Sequence, residues 1–407
     1  MAAGRTRPSP STVPPRAGSP FEVLSVALRL GLTSFGGPVA HLGYFRREYV
    51  ERRRWLDETT YADLVALCQL LPGPASSQLG IAIGTRRAGM LGGLVAWLGF
   101  TLPSAIALVL FGLLTSRVDL TTAGWVHGLK LAAVAVVAQA VFTMARTLAP
   151  DWPRRALALA AAAVALAWAA PFVQVAIIGG GALVGRLALA TPAAPRTGPE
   201  PSPVPRRVGT VCLVAFAVLL VGLPLLRELG GGQPVALFTA FYRAGALVFG
   251  GGHVVLPLLD ATVVDPGWVS TDQFLAGYGA AQAVPGPLFS FAGYLGAVSV
   301  VPPSGWTGAT IALVGIFLPS FLLIFGALPF WDALRGSVAF RRALAGTNAA
   351  VVGLLLAALY TPVWTNAIVG PVDVAIAAAA FGLLVVGKAP PILVVGLTAL
   401  AGQLIGL

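Results

Sequence analysis

Apolar runs long enough for a bilayer alternate along this chain with short polar or arginine-rich stretches. Residues 21–44 form a first apolar element, interrupted at Phe35-Gly36-Gly37-Pro38 and carrying Arg29. A loop with five arginines follows, from Arg46 to Arg54 and ending at Trp55. Residues 61–83 are apolar again, but Gln69-Leu70-Leu71-Pro72-Gly73-Pro74, followed by Ser76, Ser77 and Gln78, sits inside them. Pro-Gly-Pro removes two backbone donors and adds a residue with no preference for helical dihedrals, so the spacing predicts two half-helices meeting at a break. Further apolar segments span residues 88–114, 125–148, 156–170 and 172–190, the last two short for a bilayer that needs about 20 residues. Residues 191–207 are rich in Pro and polar side chains and read as a linker, and residues 208–229 hold one more apolar helix.

After that helix the pattern begins again. Phe249-Gly250-Gly251-Gly252 answers Phe35-Gly36-Gly37-Pro38, Trp268 answers Trp55, and Gln282-Ala283-Val284-Pro285-Gly286-Pro287 answers residues 69–74. Leu318-Pro319-Ser320 answers Leu102-Pro103-Ser104. On these offsets Arg243 falls on Arg29, Ser290 on Ser77, Gly346 on Gly128 and Asn348 on Lys130. The expected organisation is a disordered cytoplasmic tail (1–20), a first repeat (21–190), the linker (191–207), an unpaired connecting helix (208–229) and a second repeat (234–407). The expected fold is an all-α polytopic membrane protein with about thirteen apolar segments, some broken or partly re-entrant. One unpaired crossing between two halves of even parity inverts the second half, so an inverted repeat is expected.

Composition excludes an ordinary soluble domain. Apolar residues make up 57% of the chain and charged residues only 10%, against about 25% in soluble domains. The net charge of +11 would suggest nucleic acid in a soluble protein, but the arginines lie between apolar runs, as in cytoplasmic loops, and no nucleic-acid partner is expected. Cys68 and Cys212 stand in different apolar runs, and His41, His127 and His253 are scattered, so neither a metal nor a cofactor is expected. A membrane enzyme would need clustered acids within the apolar segments; the carboxylates lie mainly in loops, with Asp63 the exception, and the enzyme reading is set aside.

Charge also bears on topology. Arg146, Arg154, Arg155, Arg196, Arg206 and Arg207 belong on the cytoplasmic side, which puts the N-terminus in the cytoplasm and the C-terminus outside. Thirteen full spans would place the basic 46–54 loop outside and the acidic loop of Asp260, Asp265 and Asp272 inside. If the two broken elements of each half return to the face they entered from, both loops move to the side their charge prefers.

The combination of Phe-Gly-Gly-Pro with His41, the Arg-rich stretch ending Trp55-Leu56, two Pro-Gly-Pro elements and Phe-Gly-Gly-Gly-His at 249–253 resembles the chromate ion transporter family in its long, two-domain form. The resemblance covers nearly the whole chain outside the tail and linker. It implies efflux of chromate, with sulfate as a look-alike, across the bacterial inner membrane, driven by the membrane potential, with proton antiport as an open addition. An importer of sulfate or another oxyanion is the alternative.

Breaks at matched positions in membrane helices point to a transport site, because open backbone at bilayer depth persists only where protein or a polar cavity surrounds it. A tetrahedral dianion needs donors and positive potential. Helix starts after Pro74 and Pro287 offer backbone N–H groups; Ser76, Ser77 and Ser290 offer hydroxyls, and Gln69 and Gln282 sit one turn before each break. The expected binding set is therefore Arg29, Gly36, Gly37, Gln69, Pro72, Gly73, Pro74, Ser76, Ser77, Arg243, Gly250, Gly251, Gln282, Pro285, Gly286, Pro287 and Ser290. Arg29 and Arg243 enter because an arginine inside an apolar segment costs at least about 2.5 kcal/mol, although snorkelling to an interface is the competing reading. The Phe-Gly-Gly elements serve packing or anion contact. His41, His253, Lys130 and Asn348 are candidates for coupling or gating. The expected partners are the oxyanion and the lipid bilayer, and self-association into a homo-oligomer stays open.

Overall fold

A computed structural model of the chain describes residues 18–115, 124–168, 171–190, 202–249 and 254–405. Among these residues there are helices and turns and no strand. The first part of the chain forms α1 (Pro20–Thr33), α2 (Gly37–Phe45) prolonged by a wide turn over Arg46–Arg52, α3 (Glu58–Leu70), α4 (Ala75–Thr115), α5 (Gly124–Leu148), α6 (Trp152–Ala167) and α7 (Pro171–Ala188). A single helix α8 (Arg206–Glu228) follows. The remainder forms α9 (Gly232–Leu247), α10 (Val255–Leu259) with a wide turn over Asp260–Val264, α11 (Thr271–Ala283), α12 (Phe291–Val298), α13 (Gly305–Ala327), α14 (Trp331–Gly336), α15 (Val338–Ala358), α16 (Thr365–Ala367), α17 (Pro371–Val385) and α18 (Pro391–Ile405).

Among the described residues five helices are long and apolar enough to cross a membrane: Ala75–Thr115, Gly124–Leu148, Arg206–Glu228, Gly305–Phe330 and Val338–Ala367. Shorter apolar helices accompany them. The chain is a multi-pass membrane protein. Helix starts follow from capping side chains. Ser19 accepts from the Glu22 N–H, Asp57 from Thr60, Asp151 from Arg154 and Ser270 from Gln273, which satisfies donors that the first turn of a helix leaves free.

The broken elements turn back on themselves. Glu22, in the first turn of α1, pairs with Arg53 beyond α2 (3.9 Å) and with Arg87 (3.1 Å). The Arg87 guanidinium also lies over the Trp55 ring, 5.0 Å from its centroid, just ahead of α3. The entry and exit ends of α1–α2 and of α3 with the first arm of α4 thus share one base, and the breaks are the tips. The second part repeats this plan. The Val300 N–H, beyond α12, donates to the Trp268 carbonyl ahead of α11 (2.9 Å), and the Tyr294 hydroxyl donates to the Gln273 carbonyl (2.9 Å). Had one straight helix joined Gln273 to Tyr294, they would stand about 30 Å apart.

Ala88 and Gly89 leave helical dihedrals and divide α4 into two arms. Its long arm starts at the base of the first pair of hairpins and, at Gly112, faces Tyr294 and Val298 at the base of the second. From Gly89 to Gly112 the helix rises about 34 Å, so the two bases lie at opposite ends of a bilayer-length helix. The same arm packs along α1, and α13 packs along α9. Small residues permit this closeness: a Cβ on Gly31 would lie 2.6 Å from the Gly99 carbonyl oxygen.

Beyond the hairpins the two parts of the chain interlock. α5 packs against α17 and α18, whereas α15 packs against α6 and α7. Gly128 sits on the backbone of Thr398 and Ala399, and Gly346 on the backbone of Gly181 and Gly185. Each part lends its fourth long element to the terminal pair of the other.

Candidate functional site

At both Pro-Gly-Pro sequences the chain reverses through a glycine with positive φ, +124° at Gly73 and +99° at Gly286, a region that side chains with a Cβ rarely enter. Each glycine N–H donates across to the other part of the chain. Gly73 donates to the Val248 carbonyl at the end of α9 (2.7 Å), and Gly286 donates to the Ser34 carbonyl at the end of α1 (2.9 Å). Ser34 and Val248 are equivalent positions on the Arg29–Arg243 offset, so the two bonds are one contact made twice. These N–H groups are committed to backbone carbonyls; the expected donors are those of the helix starts after Pro74 and Pro287.

The two breaks then differ. After Pro74 a regular helix begins at once, and Ser76, Ser77 and Gln78 in its first turn are all buried. The Gln78 amide nitrogen donates to the Pro72 carbonyl (2.6 Å), while its Oε1 and the Ser77 hydroxyl have no partner among the described residues. After Pro287 a short 3-10 turn, Leu288–Ser290, intervenes, and the Ser290 hydroxyl donates to the Pro287 carbonyl (2.7 Å). Ser77 and Ser290 match in sequence but not in hydrogen bonding. Pro72 and Pro285 are partly buried and Pro74 and Pro287 buried; Gln69 is exposed at the end of α3, whereas the Gln282 amide nitrogen is buried and unpartnered among the described residues.

The first element's break adds His41. Its ring is buried, edge-on to Phe100 with centroids 5.2 Å apart; Nε2 lies 3.2 Å from the Ser34 carbonyl, and Nδ1 has no partner among the described residues. Gly36 and Gly37 adopt φ of +96° and +75°. A Cβ on Gly37 would meet nothing within 4 Å, so backbone conformation rather than close packing calls for glycine there. Gly250, Gly251 and His253 lie outside the described residues, as do residues 1–17 of the tail and 191–201 of the linker.

The remaining expected residues are spread more widely. Arg29 is exposed on the face of α1 opposite α4, beside exposed Leu28 and Leu32, and Arg243 is half-buried on α9. Neither has an ion-pair partner among the described residues. Lys130 is paired with Asp272 of α11 (2.5 Å), and Asn348 Oδ1 is buried without a described partner. Several further ion pairs gather at the first base, where Arg46 meets Glu51 and Glu58, and Arg52 and Arg53 meet Glu48. Burial alone would raise the Glu48 carboxyl, but the hydrogen bonds from Arg53 and Arg52 outweigh it and hold it below the ordinary carboxylate range.

Several groups escaped the sequence reading. Ser34, Thr101 and Ser320 carry buried hydroxyls with no described partner, and Ser104 and Ser320 touch the break glycines. Their signal was present, since Leu-Pro-Ser recurs, but it served only to align the halves. His127 and Asp373 form a pair at 2.8 Å that no spacing rule could find, because the residues stand 246 positions apart. Among the described residues no three His, Cys, Asp or Glu side chains gather as a metal site requires.

The chromate transporter family profile matches residues 21–186 and 235–403, covering both sets of hairpins and the helices after them. The chain belongs to the chromate transporter family. It is a transporter and not an enzyme. The family match leaves out α8. The chain is 30% identical to the chromate transport protein of Pseudomonas aeruginosa over 366 residues, 86% of this chain and 83% of that one. It is 30% identical to a probable chromate transport protein of Synechococcus elongatus, covering 82% of this chain and 81% of the relative. The corresponding figures for the chromate transport protein of Cupriavidus metallidurans are 28%, 82% and 80%. No solved structure matches the chain.

Proposed function

We propose that this protein carries chromate, or a tetrahedral oxyanion of like charge, out of the cytoplasm across the bacterial plasma membrane, and binds it at the Pro-Gly-Pro breaks, each of which is held against the other part of the chain. The reciprocal bonds from Gly73 to Val248 and from Gly286 to Ser34 carry this reading. They join the first break to the end of α9 and the second to the end of α1, inside an otherwise apolar bundle, and buried polar groups with atoms unpartnered among the described residues stand beside them: Ser34, Ser77, Gln78, Gln282 and His41. Buried polar groups are normally paired, and a cluster without partners fits a site completed by a ligand.

The orientation in this proposal is an inverted repeat with re-entrant hairpins. Supporting it, the hairpin bases sit at opposite ends of the long arm of α4. The first base carries Arg46, Arg47, Arg52, Arg53 and Arg54, and the second carries Asp260, Asp265 and Asp272, so a cytoplasmic first base obeys the positive-inside bias. The N-terminus is then cytoplasmic and the C-terminus periplasmic. Direction follows from charge: with the cytoplasm negative, expelling a dianion gains about 4.6 kcal/mol per 100 mV, twice the single-charge value.

Inside-out vesicles test this. Chromate uptake should rise with an imposed interior-positive potential and be inhibited by sulfate, and an added pH gradient should report any proton exchange. Uptake that responds to neither potential nor protein level would refute export, and uptake only in right-side-out vesicles would favour the importer.

A further inference from the structure

The Leu-Pro-Ser repeat has a use beyond marking the duplication. Ser320 of α13 is fully buried, and its Oγ would lie 2.9 Å from a Cβ on Gly73; Ser104 of α4 is buried too, and its Oγ would lie 2.8 Å from a Cβ on Gly286. Each serine therefore belongs to one part of the chain and touches the break glycine of the other. The glycine's missing side chain is what lets the hydroxyl come so close.

The two hydroxyls are wired differently. Ser104 donates to the Thr101 carbonyl (3.0 Å), as a serine inside a helix commonly does. Ser320 makes no such bond, and neither does Ser77, which sits one turn beyond Gly73 and is equally buried. Near Gly286 the hydroxyl protons of Ser104 and Ser290 are both spent on carbonyls, and the hydroxyl without a described partner is that of Ser34, whose carbonyl accepts the Gly286 N–H. A buried hydroxyl left unpaired is costly, and two beside one break in an apolar bundle call for an acceptor that the described residues do not supply. An oxyanion offers only acceptor oxygens and fits that need.

We infer that Ser320 is an anion-contact residue, lent by the second part of the chain to the first break, where it and Ser77 donate to the oxyanion. This rests on the binding-site reading above. It extends that reading to a residue on α13.

The test is equilibrium binding of radiolabelled chromate to the purified full-length protein in detergent, with thermal unfolding of the ligand-free protein measured alongside. Ser320→Ala and Ser77→Ala should each weaken chromate about fivefold, the scale of one hydrogen bond, and the double variant roughly 25-fold. The same substitutions should leave the ligand-free melting temperature unchanged or raise it, because the hydroxyls they remove have no partner among the described residues. A packing role predicts the reverse, a lower melting temperature with unchanged affinity, and that result would overturn the proposal. So would Ser320→Ala binding chromate within twofold of wild type. Wild-type protein that binds neither chromate nor sulfate would instead sink the underlying site reading, and this inference with it.

Discussion

Replacing Gly73 or Gly286 by alanine probes most directly the joint that holds each break to the other part of the chain. At φ of +124° and +99° a Cβ brings a backbone cost of about 1–2 kcal/mol. It also meets atoms that cannot all withdraw. At Gly73 it would stand 2.5 Å from Gln78 Nε2, which the Pro72 carbonyl holds, and 2.9 Å from Ser320 Oγ; at Gly286 it would stand 2.8 Å from Ser104 Oγ and 3.1 Å from the Phe100 carbonyl oxygen. Overpacking of this kind costs about 1–3 kcal/mol. The sum, about 2–5 kcal/mol, shifts the balance between the joined and displaced breaks by roughly 30-fold to a few thousandfold. Gly43→Ala is the control, since a Cβ there meets nothing within 4 Å on an exposed part of α2. Chromate export at matched protein levels, with melting temperatures of the purified variants, should show both break variants strongly impaired and Gly43→Ala close to wild type. If Gly73→Ala and Gly286→Ala behave like Gly43→Ala, the breaks are not held to the other part of the chain as described.

Arg243→Gln should reduce export more than Arg29→Gln, because Arg243 is half-buried and Arg29 faces outward; equal and negligible effects would remove both arginines from the proposed site. A cysteine at Arg47 should resist membrane-impermeant thiol reagents added to intact cells, and ready labelling would contradict a cytoplasmic first base. Glu48, only 10% exposed at its side chain and held below its ordinary pKa by Arg53 and Arg52, stabilises the first base above the unfolded carboxylate value of about 4.3. That contribution fades as pH falls through the lower folded value, so the wild-type melting temperature should lose a component on acidification that Glu48→Gln lacks; parallel pH profiles would contradict it. His127→Leu should cost about 1–3 kcal/mol of stability, since it removes one of three donors to the buried Asp373 carboxylate; an unchanged melting temperature would show that the Val369 and Gly370 N–H groups suffice.

Much of this protein is written in local chemistry. Long apolar runs with arginines between them dictate membrane helices, since a backbone in hydrocarbon must satisfy its own hydrogen bonds. Pro-Gly-Pro and Phe-Gly-Gly dictate breaks, since proline lacks a donor and glycine alone tolerates the dihedrals found at residues 36, 37, 73 and 286. Matched motifs in the same order at similar offsets expose the duplication and allow Ser34 to be set beside Val248. None of these signals says which carbonyl receives the Gly73 N–H, because that partner lies in the other part of the chain. Packing alone decided that the breaks are hairpin tips held across the two parts, that Ser290 spends its hydroxyl on its own turn while Ser77 does not, and that Lys130 and His127 find their carboxylates on α11 and α17. Equivalent residues in a duplicated sequence share a backbone, but a hydrogen bond is settled by the few ångströms of surroundings that only the folded chain supplies.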